Sequence, residues 1–94
     1  MTVRVIVPRA LTEFSDGQSE LSLDLNAPAT VSDVVAALAE TYPALARRIV
    51  DETGQLRRFV NVYVGTEECR RIGGLTAVIP DGTAVHIIGS IAGG

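Results

Sequence analysis

The sequence predicts an α+β roll, a mixed sheet of four or five strands with one main helix packed across it. Three observations predict it. Apolar residues alternate at period two near both ends of the chain, a single stretch between them switches to helical spacing, and glycine turns separate the runs. The 94 residues are 47% hydrophobic and 20% charged, a balance that supports one folded domain and lies well away from disorder.

The first element is "TVRVIVP". Val3, Val5 and Val7 fall on one face of a strand, and Pro8 ends it. "FSDGQS" carries a Ser-Asp-Gly turn signal, after which "ELSLDLN" alternates again with Leu21, Leu23 and Leu25 inward. These two runs read as an antiparallel hairpin with a long loop.

In "APATVSDVVAALAETYP" the period changes. Thr30 with Asp33 three residues on is an N-terminal capping signal, and Val31, Val34, Val35, Leu38 and Tyr42 form an apolar stripe. Pro43 stops or kinks this helix. "ALARRIVDETG" adds a short second helical turn, with Leu45 and Ile49 inward and Gly54 as its stop.

"RFVNVYVG" is the clearest strand. Val60, Val62 and Val64 share one face and Phe59, Asn61 and Tyr63 the other. "TEECRRIGG" reads as a short edge strand around Cys69, charged enough to discourage edge pairing. Pro80-Asp81-Gly82 then turns the chain into a last strand with Val85 and Ile87 on the core face. The expected core therefore includes Val5, Leu23, Val34, Leu38, Val62 and Ile87.

Charge and composition narrow the function classes. A net charge of −3 argues against nucleic acid, whose phosphates demand a basic surface. The N-terminal stretch is alternating and broken by Arg4, Pro8 and Arg9, unlike a secretory signal, and no apolar run is long enough to span a membrane. The single cysteine suits a reducing compartment, so a cytoplasmic protein is expected. Cys69 has no histidine near it in sequence and reads as packing. The only histidine, His86, has outward parity on the last strand, and no further ligands accompany it for a metal. Gly54 and Gly73-Gly74 do not follow a strand and open a helix as a phosphate loop does. With no Ser-His-Asp arrangement, catalytic carboxylate pair or cofactor fingerprint, neither catalytic residues nor a bound cofactor are expected.

The chain closes on "HIIGSIAGG". This end is either frayed or the working group. Residues 1–89 are expected to form the folded domain and residues 90–94 a flexible tail. Glycines without a Cβ allow close backbone approach, which suits an arm that enters narrow channels.

One helix across a mixed sheet is the β-grasp or ubiquitin-like architecture, and a last strand running into Gly-Gly resembles the sulfur carriers of the ThiS/MoaD family. "FVNVYVGTEECRRIGGLTAVIPDGTAVHIIGSIAGG" resembles the CysO-type carriers in particular. The insert after the helix is longer than is usual in ThiS proteins and closer to MoaD proteins. Gly65, where Asn is commoner, and Cys69, usually aliphatic, depart from the CysO-type pattern without touching the tail.

The resemblance implies an ATP-dependent, E1-like activating enzyme that adenylates the Gly94 carboxylate. A sulfur donor then replaces AMP and leaves a thiocarboxylate. Gly93, Ala92 and Ile91 would dock the tail, with Ile91 its apolar anchor. Cysteine synthesis is the implied destination, through a pyridoxal-phosphate enzyme that uses O-phosphoserine and a peptidase that releases the product. Another sulfur-containing metabolite remains open as the destination. ATP and pyridoxal phosphate belong to those partners. Three alternatives stand beside this reading: the small MoaD-like subunit of molybdopterin synthase, a ubiquitin-like modifier joined to lysines, and a β-grasp interaction module with an idle tail. Phe59, Tyr63 and Ile88 fall on the sheet face away from the helix, where either the insert covers them or a partner docks. Arg57-Arg58 and Arg70-Arg71 are either solvated rims or docking residues for an acidic partner.

Overall fold

The computed structural model describes residues 1–89. Strand β1 (Thr2–Ile6) pairs antiparallel with β2 (Glu20–Asp24), placing Val3 opposite Leu23 and Val5 opposite Leu21. The long loop between them holds a 3-10 turn, Arg9–Phe14, and reverses at Asp16 and Gly17, both at positive φ. A two-residue strand, β3 (Ala29–Thr30), leads into helix α1 (Val31–Thr41). Helix α2 (Pro43–Ile49) follows after Tyr42. Then come β4 (Val60–Val64), β5 (Glu67–Glu68), β6 (Val78–Ile79) and β7 (Val85–Gly89).

Five strands form the main sheet in the order β2-β1-β7-β4-β5. Its centre is the parallel pair β1 and β7, flanked by antiparallel neighbours. This mixed sheet with α1 packed across it is the β-grasp arrangement. A two-stranded ribbon, β3 with β6, lies apart from the sheet. The Val31 amide donates to the Ala77 carbonyl at 3.1 Å and ties the start of α1 to the segment entering β6.

The core joins both layers. Val3, Val5, Val62, Val64, Val85 and Ile87 from the sheet meet Val31, Val34 and Leu38 from α1 and Leu45 and Ile49 from α2. Of the six core positions read from sequence, five are buried. Leu23 is half-buried because it lies toward the end of the edge strand β2, two residues beyond buried Leu21. Leu25, Val35 and Tyr42 likewise pack at the core's margin.

Helix α1 starts where the capping signal places it. Thr30 Oγ1 accepts from the Asp33 amide at 3.2 Å, and the Asp33 carboxylate accepts from the Thr30 amide at 2.9 Å. Pro43 does more than stop this helix. It occupies the first turn of α2, where its missing N–H has no helical partner to lose.

Two readings are corrected. Gly54 is not a helix stop, since α2 ends at Ile49 with Val50 extended. Gly54 instead sits at φ +85° in a turn built on Asp51, beside the bridge that pairs Val50 with Leu56. Cys69 is not inside an edge strand. The strand is only Glu67–Glu68, and Cys69 opens a 3-10 turn in which the Arg70 amide donates to the Glu68 carboxylate. Among the described residues, no helix is long and apolar enough to cross a membrane.

Candidate functional site: the root of the C-terminal segment

Strand β7 runs through the middle of the sheet and delivers the chain to residue 90. Val85 and Ile87 point into the core, so β7 is held by packing as well as by ladders on both sides. Gly89 stands opposite Val60 at the end of the β4–β7 ladder. Gly94, Gly93, Ala92 and Ile91, the residues assigned to the tail site, lie outside the described residues.

The opposite face of the same strands carries the expected apolar set. Ile88 pairs with Asn61 and is 46% exposed, and Phe59, just before β4, is 52% exposed. Tyr63 lies across from His86, and both are half-buried. The insert therefore leaves Phe59 and Ile88 open. Strand parity puts Ile88 and Tyr63 on one face of the sheet, Ile88 next to Gly89 and Tyr63 three rungs along the ladder, with Phe59 at the edge of that face.

Cys69 is fully buried within the core cluster. Burial pushes its thiol up, and the neighbouring Glu68 charge pushes it further the same way, only partly opposed by Arg70. A thiol held neutral is a poor nucleophile, as its packing role requires. Among the described residues, no group of three or more His, Cys, Asp or Glu is placed to hold a metal ion.

What sequence reading missed is the company Gly89 keeps. Arg47 and Arg48 at the end of α2 converge with Arg57 and Arg58 beside it. Two Arg-Arg pairs about ten residues apart were the available signal, and nothing local brings them together.

Residues 5–94 match the ThiS family. The chain belongs to the ThiS family. The family's proteins are small ubiquitin-like sulfur carriers. A full-length relative is the sulfur carrier protein CysO of Mycobacterium tuberculosis, 36% identical over 96 residues with all of both chains covered. The small archaeal modifier protein 3 of Haloferax volcanii is 32% identical over 78 residues, covering 83% of this chain and 84% of the relative. Among solved structures, the BexX/CysO complex of Amycolatopsis orientalis contains a chain that matches with a TM-score of 0.82 and 34% identity, covering 98% of this chain and 99% of that one. The likeness extends through the C-terminal segment, and the family match ends on Gly94 itself.

Proposed function

We propose that this family member carries sulfur as a thiocarboxylate on Gly94. The observation that supports it is the match to sulfur carriers over the whole length, which runs through to Gly94. A carboxylate is a poor acyl donor because oxide would have to leave. An E1-like enzyme solves this with ATP. The Gly94 carboxylate oxygen attacks the α-phosphorus, pyrophosphate departs, and an acyl adenylate forms. Hydrosulfide then adds to the carbonyl carbon and AMP leaves, so one C–O bond is exchanged for one C–S bond without oxidation or reduction.

In this reading the chain itself catalyses nothing and binds no cofactor. Gly93, Ala92 and Ile91 thread the partner's channel, and the face bearing Phe59, Tyr63 and Ile88 docks the activating enzyme. The acceptor is a cytoplasmic biosynthetic enzyme, and the CysO likeness favours one that uses O-phosphoserine with its own pyridoxal phosphate, followed by a peptidase. The same likeness favours a carrier over a molybdopterin synthase subunit or a lysine modifier.

The test is intact-mass analysis after incubation with the activating enzyme, ATP and inorganic sulfide. Replacement of one oxygen by sulfur, localised to the C-terminal peptide, is expected. Adding the O-phosphoserine-using enzyme and its substrate should then give a carrier-cysteine adduct. A carrier that gains no sulfur overturns the proposal.

A further inference from the structure

A cleft of about 900 Å³ opens beside Gly89, between the end of α2, the segment from Gln55 to Phe59, and Phe14. Arg47, Arg48, Arg57 and Arg58 all line it. The chain has eight arginines and no lysine, so half of its basic side chains meet here in a protein of net charge −3. All four are exposed, and among the described residues none has a carboxylate within 4.0 Å. Asp51 is the one acidic lining residue, and its Oδ1 already accepts from the amides of Thr53 and Gln55 and from the Thr53 hydroxyl.

The guanidinium groups are also placed. Arg48 lies over the Phe14 ring, 4.5 Å from its centroid, and Arg58 lies 5.8 Å from that of Phe59. Arg57 Nε donates to the Arg47 carbonyl at 2.6 Å, which joins the two pairs. Held planar forks of this kind suit bidentate recognition of carboxylates and lose little freedom on binding.

Position supplies the second argument. Gly94 lies five positions beyond Gly89, and a fully extended chain spans at most about 18 Å over that length. An enzyme that holds the Gly94 carboxylate must therefore bring the mouth of its active site against this cleft. For the activating enzyme the approach is opposed by charge, since an anionic terminus on an anionic carrier has to meet ATP. Pairing the arginines with acidic groups at the mouth offsets that repulsion and fixes orientation.

We propose that the arginine cleft docks an acidic segment, two or more Asp or Glu side chains, at the mouth of the activating enzyme. The inference rests on Gly94 as the acceptor of the adenylate. The test uses the full chain with its adenylating enzyme, following both pyrophosphate release and direct binding by calorimetry. The double variant Arg48→Gln/Arg58→Gln should raise KM and Kd about tenfold, the sum expected for two exposed ion pairs, with kcat unchanged. Wild-type affinity should weaken with added NaCl, and the variant should respond much less. Arg4→Gln/Arg9→Gln, which alters net charge equally at exposed positions outside the cleft lining, should leave KM unchanged, and melting curves confirm that both variants fold.

Equal KM and equal salt response for the cleft variant and wild type overturn the docking proposal while leaving Gly94 in place. Arginine-dependent binding without pyrophosphate release overturns the Gly94 reading and leaves docking standing. Competition by millimolar inorganic phosphate that matches the loss in the variant overturns the acidic segment in favour of a small-anion site.

Discussion

Val60 and Gly89 face each other across the last rung of the β4–β7 ladder. This pairing fixes the position of Gly89, with the arginine cleft on one side and exposed Ile88 on the other. The predictions below separate what this exit does from what the core does.

One alanine appended after Gly94 should abolish thiocarboxylate formation while the melting temperature stays within about 1 °C of the native value. The addition carries the carboxylate about 3.5 Å further along the chain. A site that holds reacting atoms roughly 3–3.5 Å apart does not tolerate that displacement. Among the described residues every core side chain precedes Gly89, so stability is expected to hold. Sulfur gain at the native rate, read by intact mass, would show that Gly94 is not the reactive end.

Ile88→Ser should weaken binding of the activating enzyme without loss of stability, because the side chain is nearly half exposed and lies outside the core cluster. Calorimetric titration gives the affinity and a melting curve the stability. Unaltered affinity removes Ile88 from the docking face.

Cys69→Ser should leave sulfur transfer intact and lower stability by about 1–3 kcal/mol, since a hydroxyl replaces a thiol at a fully buried site. Urea unfolding measures the second effect. Loss of thiocarboxylate formation in the folded variant would transfer the chemistry to the thiol.

Thr30→Ala should cost about 1 kcal/mol by removing the cap of α1. For a domain of this size that lowers the melting temperature by about 4–8 °C. Combining it with Asp33→Ala should cost less than the sum of the two, because each residue caps the other's amide.

Asp51 supplies a pH dependence of known sign. The Thr53 hydroxyl, the Gln55 and Thr53 amides and the Arg57 charge hold its carboxyl below the ordinary value of 3.8. Ionised Asp51 therefore stabilises the fold above that value, and the benefit disappears as pH falls through the lowered folded value. Asp51→Asn should be the less stable protein near neutrality, and the gap should close on acidification. A gap that is constant across pH in urea titrations would refute the assignment.

Periodicity and punctuation, read locally, determined much of this protein. The alternation of Val3, Val5 and Val7, the Thr30–Asp33 cap and the Val60-Val62-Val64 face are properties of neighbouring residues, so the sequence alone places them. The Gly-Gly end also belongs to the sequence, and together with the predicted β-grasp order it carries the resemblance that implies its chemistry. Other features arise only when distant segments meet. Ala29–Thr30 and Val78–Ile79 are too short to show a period and become strands by pairing with each other. Leu23 alternates as faithfully as Val5, yet it is half-buried because it lies toward the end of an edge strand, past buried Leu21. Cys69 resembles a strand residue until the 3-10 turn carries it into the core. The arginine cleft is the clearest case. Arg57-Arg58 reads as a solvated rim or a docking pair and nothing local ties it to Arg47-Arg48, yet packing of α2 against the β4 lead-in gathers all four beside Gly89. Local pattern records the direction in which each side chain points, whereas the neighbours it meets there follow from how the layers close.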